Sequence, residues 1–218
     1  MPTKTMLRSW LAAGAMTATI ATTPLAQAAA PLEEGFDDFA GLAGAGWVFT
    51  NASAQPGQNW FAGNAGVFEA QSGAAGSYAA ANFLSSNLVD GSISNWLITP
   101  QITLSGGETL TFWARSADSG FLDAINLHIA TDGGTALGGF SAFGSTGVVG
   151  TEWVSYSAVI PALAGPTPVR LAFEYAVANA ETASYVGLDS ISVVPEPATA
   201  LLLGLGGAAL LLRRRAAR

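Results

Sequence analysis

The central part of this sequence predicts an all-β fold, a single antiparallel β-sandwich. Three observations predict it. Between Ala29 and Pro195, short runs alternate apolar and polar side chains with period two, which puts one face of each run on a common core. Gly, Ser, Asn and Asp interrupt those runs about every ten residues, the turn spacing of a sandwich. No stretch in this region keeps a helical period over three turns with a cap, so any helix here is short.

In chain order the expected strands are 47–51, 65–69, 78–84, 96–99, 109–115, 124–131, 153–160, 169–175 and 185–193. The clearest is 109–115, where Leu110, Phe112 and Ala114 share one face. Ile125, Leu127 and Ile129 alternate with Asn126, His128 and Ala130. Leu171 and Phe173 alternate with Arg170, Ala172 and Glu174. At 94–104, Trp96 and Ile98 share one face and Leu97 takes the other, and Pro100, which cannot donate to a ladder, ends the strand or lies at an edge. The Gly-rich stretches 131–134 and 144–147 read as turns. Neither leads from a strand into a helix, as a phosphate cradle does.

Both ends of the chain read as targeting segments. Residues 1–28 carry a basic start (Lys4, Arg8), an apolar stretch over 10–21 and the small-residue site Ala26-Gln27-Ala28. This is the pattern of a secretory signal read by the translocon and cut by signal peptidase, so the mature chain is expected to begin at Ala29. At the other end, Pro195-Glu196-Pro197 precedes an uncharged Ala/Leu/Gly run, 198–212, and then Arg213, Arg214, Arg215 and Arg218. The prolines stop whatever folds upstream. As a helix the run spans roughly 22 Å, short of the roughly 30 Å hydrocarbon core. Arginine snorkelling and local thinning close the gap, and the same arginines hold the C-terminus on the cytoplasmic side. The expected organisation is therefore 1–28 signal, 29–194 sandwich domain and 195–218 sorting tail with a short transmembrane helix.

The tail resembles the PEP-CTERM sorting signal of Gram-negative bacteria, on Pro195, Glu196, Pro197, the apolar stretch and Arg213, Arg214 and Arg215. The resemblance implies recognition and processing by exosortase, a membrane-embedded cysteine protease. The protein would cross the inner membrane, stay anchored there by its tail, and reach the cell surface or medium after processing. A second resemblance rests on Asn95-Trp96-Leu97-Ile98-Thr99-Pro100 and the alternation after it, with Glu34-Gly35-Phe36-Asp37, Gly46-Trp47 and 187–193. These are similar to the choice-of-anchor J domain, which implies a jelly roll of the cleaved-adhesin and MAM type over about 160 residues.

Charge narrows the function classes. Of eight basic residues, six lie in the two ends, leaving Arg115 and Arg170 against all 15 acids, a net of about −13 for the exported part. Such a field repels nucleic acid, which needs phosphates neutralised. With no cysteine, thiol chemistry, disulfides and Cys-ligated zinc are excluded. The one histidine, His128, is expected to face solvent from the polar side of its strand. It has no Gly-x-Ser-x-Gly elbow to serve, and a His-rich metal site is out of reach. Glu152, Glu174, Asp118 and Asp123 are the members a glycosidase carboxylate pair would draw on, although their spacing does not single out a pair.

Two site expectations remain. The jelly-roll resemblance implies a structural Ca²⁺ where the first segment meets the last strand, with Glu34 or Asp37 near Asp189. The alternative is that Asp189 fixes a turn and the N-terminal acids are solvated. For carbohydrate, Trp60 in the loop-like stretch 56–66 is the candidate stacking face, the alternative being a loop aromatic tucked against the sandwich, while Trp96, Trp113 and Trp153 sit on strand patterns. The expected function is a non-catalytic surface or extracellular-matrix protein with an adhesion role linked to exopolysaccharide or biofilm. The alternative is a lectin-like module with a saturable sugar site, and behind it a glycoside hydrolase.

Overall fold

The computed structural model describes residues 31–118 and 120–195. The expected signal segment with Ala26, Ala28 and Ala29 lies outside the described residues. So do Glu196, Pro197, the tail helix and Arg213, Arg214 and Arg215. Twelve strands build the described part: β1 Leu32–Glu34, β2 Val48–Asn51, β3 Phe61–Ala62, β4 Ala79–Asn82, β5 Ile93–Ile98, β6 Ile102–Leu104, β7 Thr109–Ser116, β8 Ala124–Ala130, β9 Phe140–Val148, β10 Val154–Val159, β11 Thr167–Val177 and β12 Tyr185–Val194.

They form two antiparallel sheets. The first runs β10-β7-β12-β4-β3 with β1 added beside β12, and the second β2-β5-β11-β8-β9 with β6 added beside β11. Each inner face supplies the apolar half of its period-two strands: Leu110, Phe112 and Ala114 from β7, Leu171, Phe173 and Tyr175 from β11. Phe112 meets Phe173 edge to face at 5.3 Å, so one aromatic pair joins the two sheets at mid-core. Every strand among the described residues finds its partner within 32–194.

Eight of the nine expected strands are present within a few residues of their expected bounds. The exception is 65–69, which is a turn: the Asn64 side chain accepts from Gly66 N at 2.8 Å, and its carbonyl accepts from Val67 N and Phe68 N. Conversely, 144–147 lies inside β9. Two register shifts against β8 let that Gly-containing edge strand keep pairing.

Pro100 ends β5 as expected. The long β11 pairs first with β6 and then with β5, and residues 99–101 bridge the gap between them. Thr99 Oγ1 accepts from Leu171 N at 3.0 Å, taking over the ladder bond at the break. Beside it the Arg170 guanidinium donates to the carbonyls of Thr99, Gly46 and Gly133 at 2.6, 3.1 and 3.0 Å.

Candidate functional site

The outer face of the β5–β11–β8 sheet carries the sequence's one histidine. Register places Glu174 opposite Trp96 on one side and Asn126 on the other. Glu174 Oε2 accepts from Asn126 Nδ2 at 3.2 Å and meets His128 Nε2 at 2.8 Å. Its Oε1 accepts from Ser94 Oγ at 2.6 Å. His128 lies tilted over Trp96 with ring centroids 4.3 Å apart.

The expectation of a solvent-facing His128 is therefore corrected. Leu137, from the connection between β8 and β9, and Phe140, the first residue of β9, pack on Trp96, Ile98 and Ala172, so the polar face is half covered. Only 12% of the His128 side chain and 13% of that of Glu174 is exposed. Burial alone would push the Glu174 carboxyl up. The hydrogen bonds from His128, Ser94 and Asn126, with the charge of His128, outweigh it and hold the group below its ordinary value of 4.5.

A carboxyl depressed in the folded state stabilises the fold above its unfolded value and loses that contribution as pH falls through the folded value. We expect Glu174→Gln to flatten the loss of stability below about pH 4.5 seen in urea melts of the parent. Changing His128→Gln should move the Glu174 carboxyl titration upward by NMR. An unmoved titration would remove His128 from this account.

The four carboxylates considered for hydrolysis do not form a pair. Asp123 is fully buried, and it accepts from Tyr175 Oη at 2.6 Å, Ser116 Oγ at 2.7 Å and Ser184 N at 3.0 Å. Tyr175 points into the core while its neighbour Glu174 points out, so Asp123 and Glu174 lie on opposite faces of one sheet. Glu152 and Asp118 are exposed in loops.

The acids expected to hold calcium are brought into one region. β1 pairs with β12, setting Glu34 opposite Ile191. Strand alternation puts Asp189 on the outer face opposite Trp113, and the register shifts just after it, at Ser190 with φ 49°. There Asp189 Oδ2 accepts from Gln71 N and Ser72 N at 2.9 and 3.2 Å, and Oδ1 from Ser190 N at 2.6 Å. Asp37 Oδ1 lies beside Gly73, where an added Cβ would sit 2.6 Å away. Glu34 Oε1 accepts from Phe36 N at 2.7 Å.

Among the described residues no three carboxylate or imidazole side chains converge as a cation requires. In this arrangement the Asp189 oxygens are taken by backbone N–H donors. Asp189 instead pins the 63–78 loop over the outer face, helped by Trp153 Nε1 donating to the Glu69 carbonyl at 2.9 Å. Burial pushes the Asp189 carboxyl above its ordinary value, and those donors only partly offset it. We expect an unchanged Tm when EDTA is replaced by millimolar calcium. A rise lost in Asp189→Ala would make Asp189 a cation ligand.

Trp60 is corrected as well. The two-residue β3 swings it inward, where it is 3% exposed, donates from Nε1 to the Asn95 carbonyl at 2.9 Å and meets Tyr175 edge to face. Its ring is not available as a sugar platform. Only its border reaches a cleft of about 310 Å³ lined by Phe39, Ala40, Ala43, Phe49 and Asn59. Sequence reasoning missed this cleft, because Phe39 and Phe49 come from separate segments with no shared pattern.

The comparisons bear on both parts of the chain. The family model described as the PEP-CTERM protein-sorting motif matches residues 193–215. Comparison with curated proteins finds no match. The fold is similar to the K1 cleaved adhesin domain of Lys-gingipain from Porphyromonas gingivalis W83, with TM-score 0.57 and 20% identity over 76% of this chain and 98% of that one. It is also similar to the K2 domain of Lys-gingipain (0.55, 19%, 75% and 97%). The K3 domain, again from Porphyromonas gingivalis, compares at 0.54 and 19% over 76% and 97%. At such identities the likeness is one of fold. The chain is thus a β-sandwich with the fold of cleaved adhesin domains, closed by a PEP-CTERM protein-sorting motif that implies a surface protein sorted by exosortase.

Proposed function

We propose that the protein is a non-catalytic interaction module, exported by its 1–28 signal, held at the membrane by residues 195–218 and then released or displayed by exosortase processing. One observation carries this reading. The last strand ends at Val194 and the sorting motif begins at 193, so the sandwich is complete where the tail starts. Cutting the tail after the prolines removes none of the described core residues. An adhesion role linked to exopolysaccharide or biofilm follows from the sorting route and the acidic, folded cargo. Cosedimentation of residues 29–194 with exopolysaccharide from exosortase-bearing cells tests it, and failure to cosediment at any salt concentration would remove the polysaccharide link.

A second reading is a saturable sugar site. What favours it is the Phe39–Phe49 cleft, whose rings lie 5.6 Å apart at 52° beside the exposed amide of Asn59. Calorimetric titration with oligosaccharides, lost in Phe49→Ala but kept in the parent, would support it. Heat absent from both would end it.

A further inference from the structure

The two ends of the sandwich differ in chemistry. β1 enters and β12 leaves at one end, where Leu32 pairs with Val193. The ten residues of β12 run roughly 30 Å to the opposite end. Three connections meet at that far end. Phe83 N donates to the Ser184 carbonyl, Leu122 N to that of Thr182 and Ala180 N to that of Gly91. Between them lies a groove of about 490 Å³ lined by Phe83, Leu84, Val89, Phe121, Ala183 and Glu181.

Among the described residues this end of the sandwich holds most of the apolar exposure. Of the nine exposed large hydrophobics among the described residues, five (Phe83, Leu84, Leu88, Val89 and Leu122) lie on these connections. Val89 is 70% exposed, Leu122 54% and Leu84 50%, although each could have been polar at no cost to the core. Glu181 lines the groove, and two more exposed acids lie on the same connections, Asp90 next to the lining Val89 and Asp118 three residues before the lining Phe121.

We infer that this end of the sandwich is a docking surface for a protein segment presenting aliphatic side chains flanked by Lys or Arg. Charge complementarity selects that occupant. The described residues contain two cations, and both are placed elsewhere. Arg170 is held by three carbonyls, and the Arg115 guanidinium lies 4.7 Å over Phe68 on the outer face of the other sheet. A second copy docked by symmetry would bring Asp90, Asp118 and Glu181 against their own equivalents with no cation between them. A sugar would find few hydrogen-bonding groups, since the Asn87 amide already donates to the Pro56 carbonyl at 2.8 Å. The orientation of this surface away from the membrane rests on the sorting tail being the anchor. The chemistry of the groove does not, so failure of the test below leaves the sorting reading untouched.

The probe is a synthetic amphipathic peptide of Leu and Lys, compared with versions carrying Gln or Glu in place of Lys. Its binding to residues 29–194, the closed sandwich, is followed by fluorescence anisotropy. The Lys peptide should bind, and the Gln and Glu versions should bind at least tenfold more weakly. Changing Leu84→Ser, Val89→Ser and Leu122→Ser together should weaken the Lys peptide at least tenfold with every protein charge kept. Glu181→Gln with Asp90→Asn should weaken it severalfold with the apolar groove kept. Equal binding by the serine variant would reduce the attraction to bulk charge and overturn the proposal. So would a parent that runs as a dimer and a serine variant that runs as a monomer, which would give the groove to a second copy.

Discussion

Asp123→Ala is expected to lower the stability of the sandwich by about 3–5 kcal/mol, roughly 10 °C or more in Tm for a domain of this size. The carboxylate collects donors from three segments: Ser116 at the end of β7, Tyr175 in β11 and Ser184 just before β12. Alanine leaves the buried Tyr175 phenol and the Ser184 N–H without their acceptor, while the Ser116 hydroxyl can turn to the Asp118 carbonyl at 3.2 Å. Each orphaned buried donor costs about 1–3 kcal/mol. Burial, the largest of the causes that push the Tyr175 phenol above its ordinary range, persists in the variant, so the phenol does not relieve the loss by ionising. Tyr175→Phe should cost less, because it removes one donor and leaves Asp123 two others. Combined with Asp123→Ala it should add little, since the bond between them is already gone. Thermal melts of the three variants check this, and a Tm unchanged in Asp123→Ala would contradict it.

Trp60→Ala is expected to cost about 3–5 kcal/mol as well, by the cavity it leaves and the lost contact with Tyr175. The size of this effect separates two roles for the residue. A ring displayed for sugar stacking could be removed with little change in stability, whereas a ring wedged between the sheets cannot. Trp60→Phe should recover part of the loss, since it keeps an aromatic edge but lacks the donor to the Asn95 carbonyl. Urea titrations of the two variants measure it. A Trp60→Ala variant as stable as the parent would return the residue to the surface.

Sequence periodicity carried most of the fold because most strands bury one face. Leu110-Phe112-Ala114 and Ile125-Leu127-Ile129 state their orientation outright, and the sheets place them so. Periodicity could not find β9, whose Gly144 and Gly147 mimic a turn and whose edge position asks little of its side chains. It misjudged 65–69 because Asn64 closes a local turn that competes with a strand. The site was harder to read. Period two puts His128 on the polar face, but it says nothing of Leu137 and Phe140 folding across that face. For Trp60 the structure shows the tucked alternative, and periodicity could not decide it, because Trp60 lies just before the two-residue β3 in Gly/Asn-rich sequence that looks like open loop. Asp189 lies on β12, the strand that pairs with β1. Its partners are backbone N–H groups, which no side-chain pattern reveals.

The central claim is that a complete sandwich ends where a sorting tail begins. Intact-mass analysis of the protein recovered from cells with and without exosortase tests it most directly. The expected result is a product beginning at Ala29 in both. With exosortase its C-terminus should lie shortly after Val194, and without it the chain should remain membrane-bound through Arg218. A mature protein that keeps Arg213, Arg214 and Arg215 in the presence of exosortase would contradict the account.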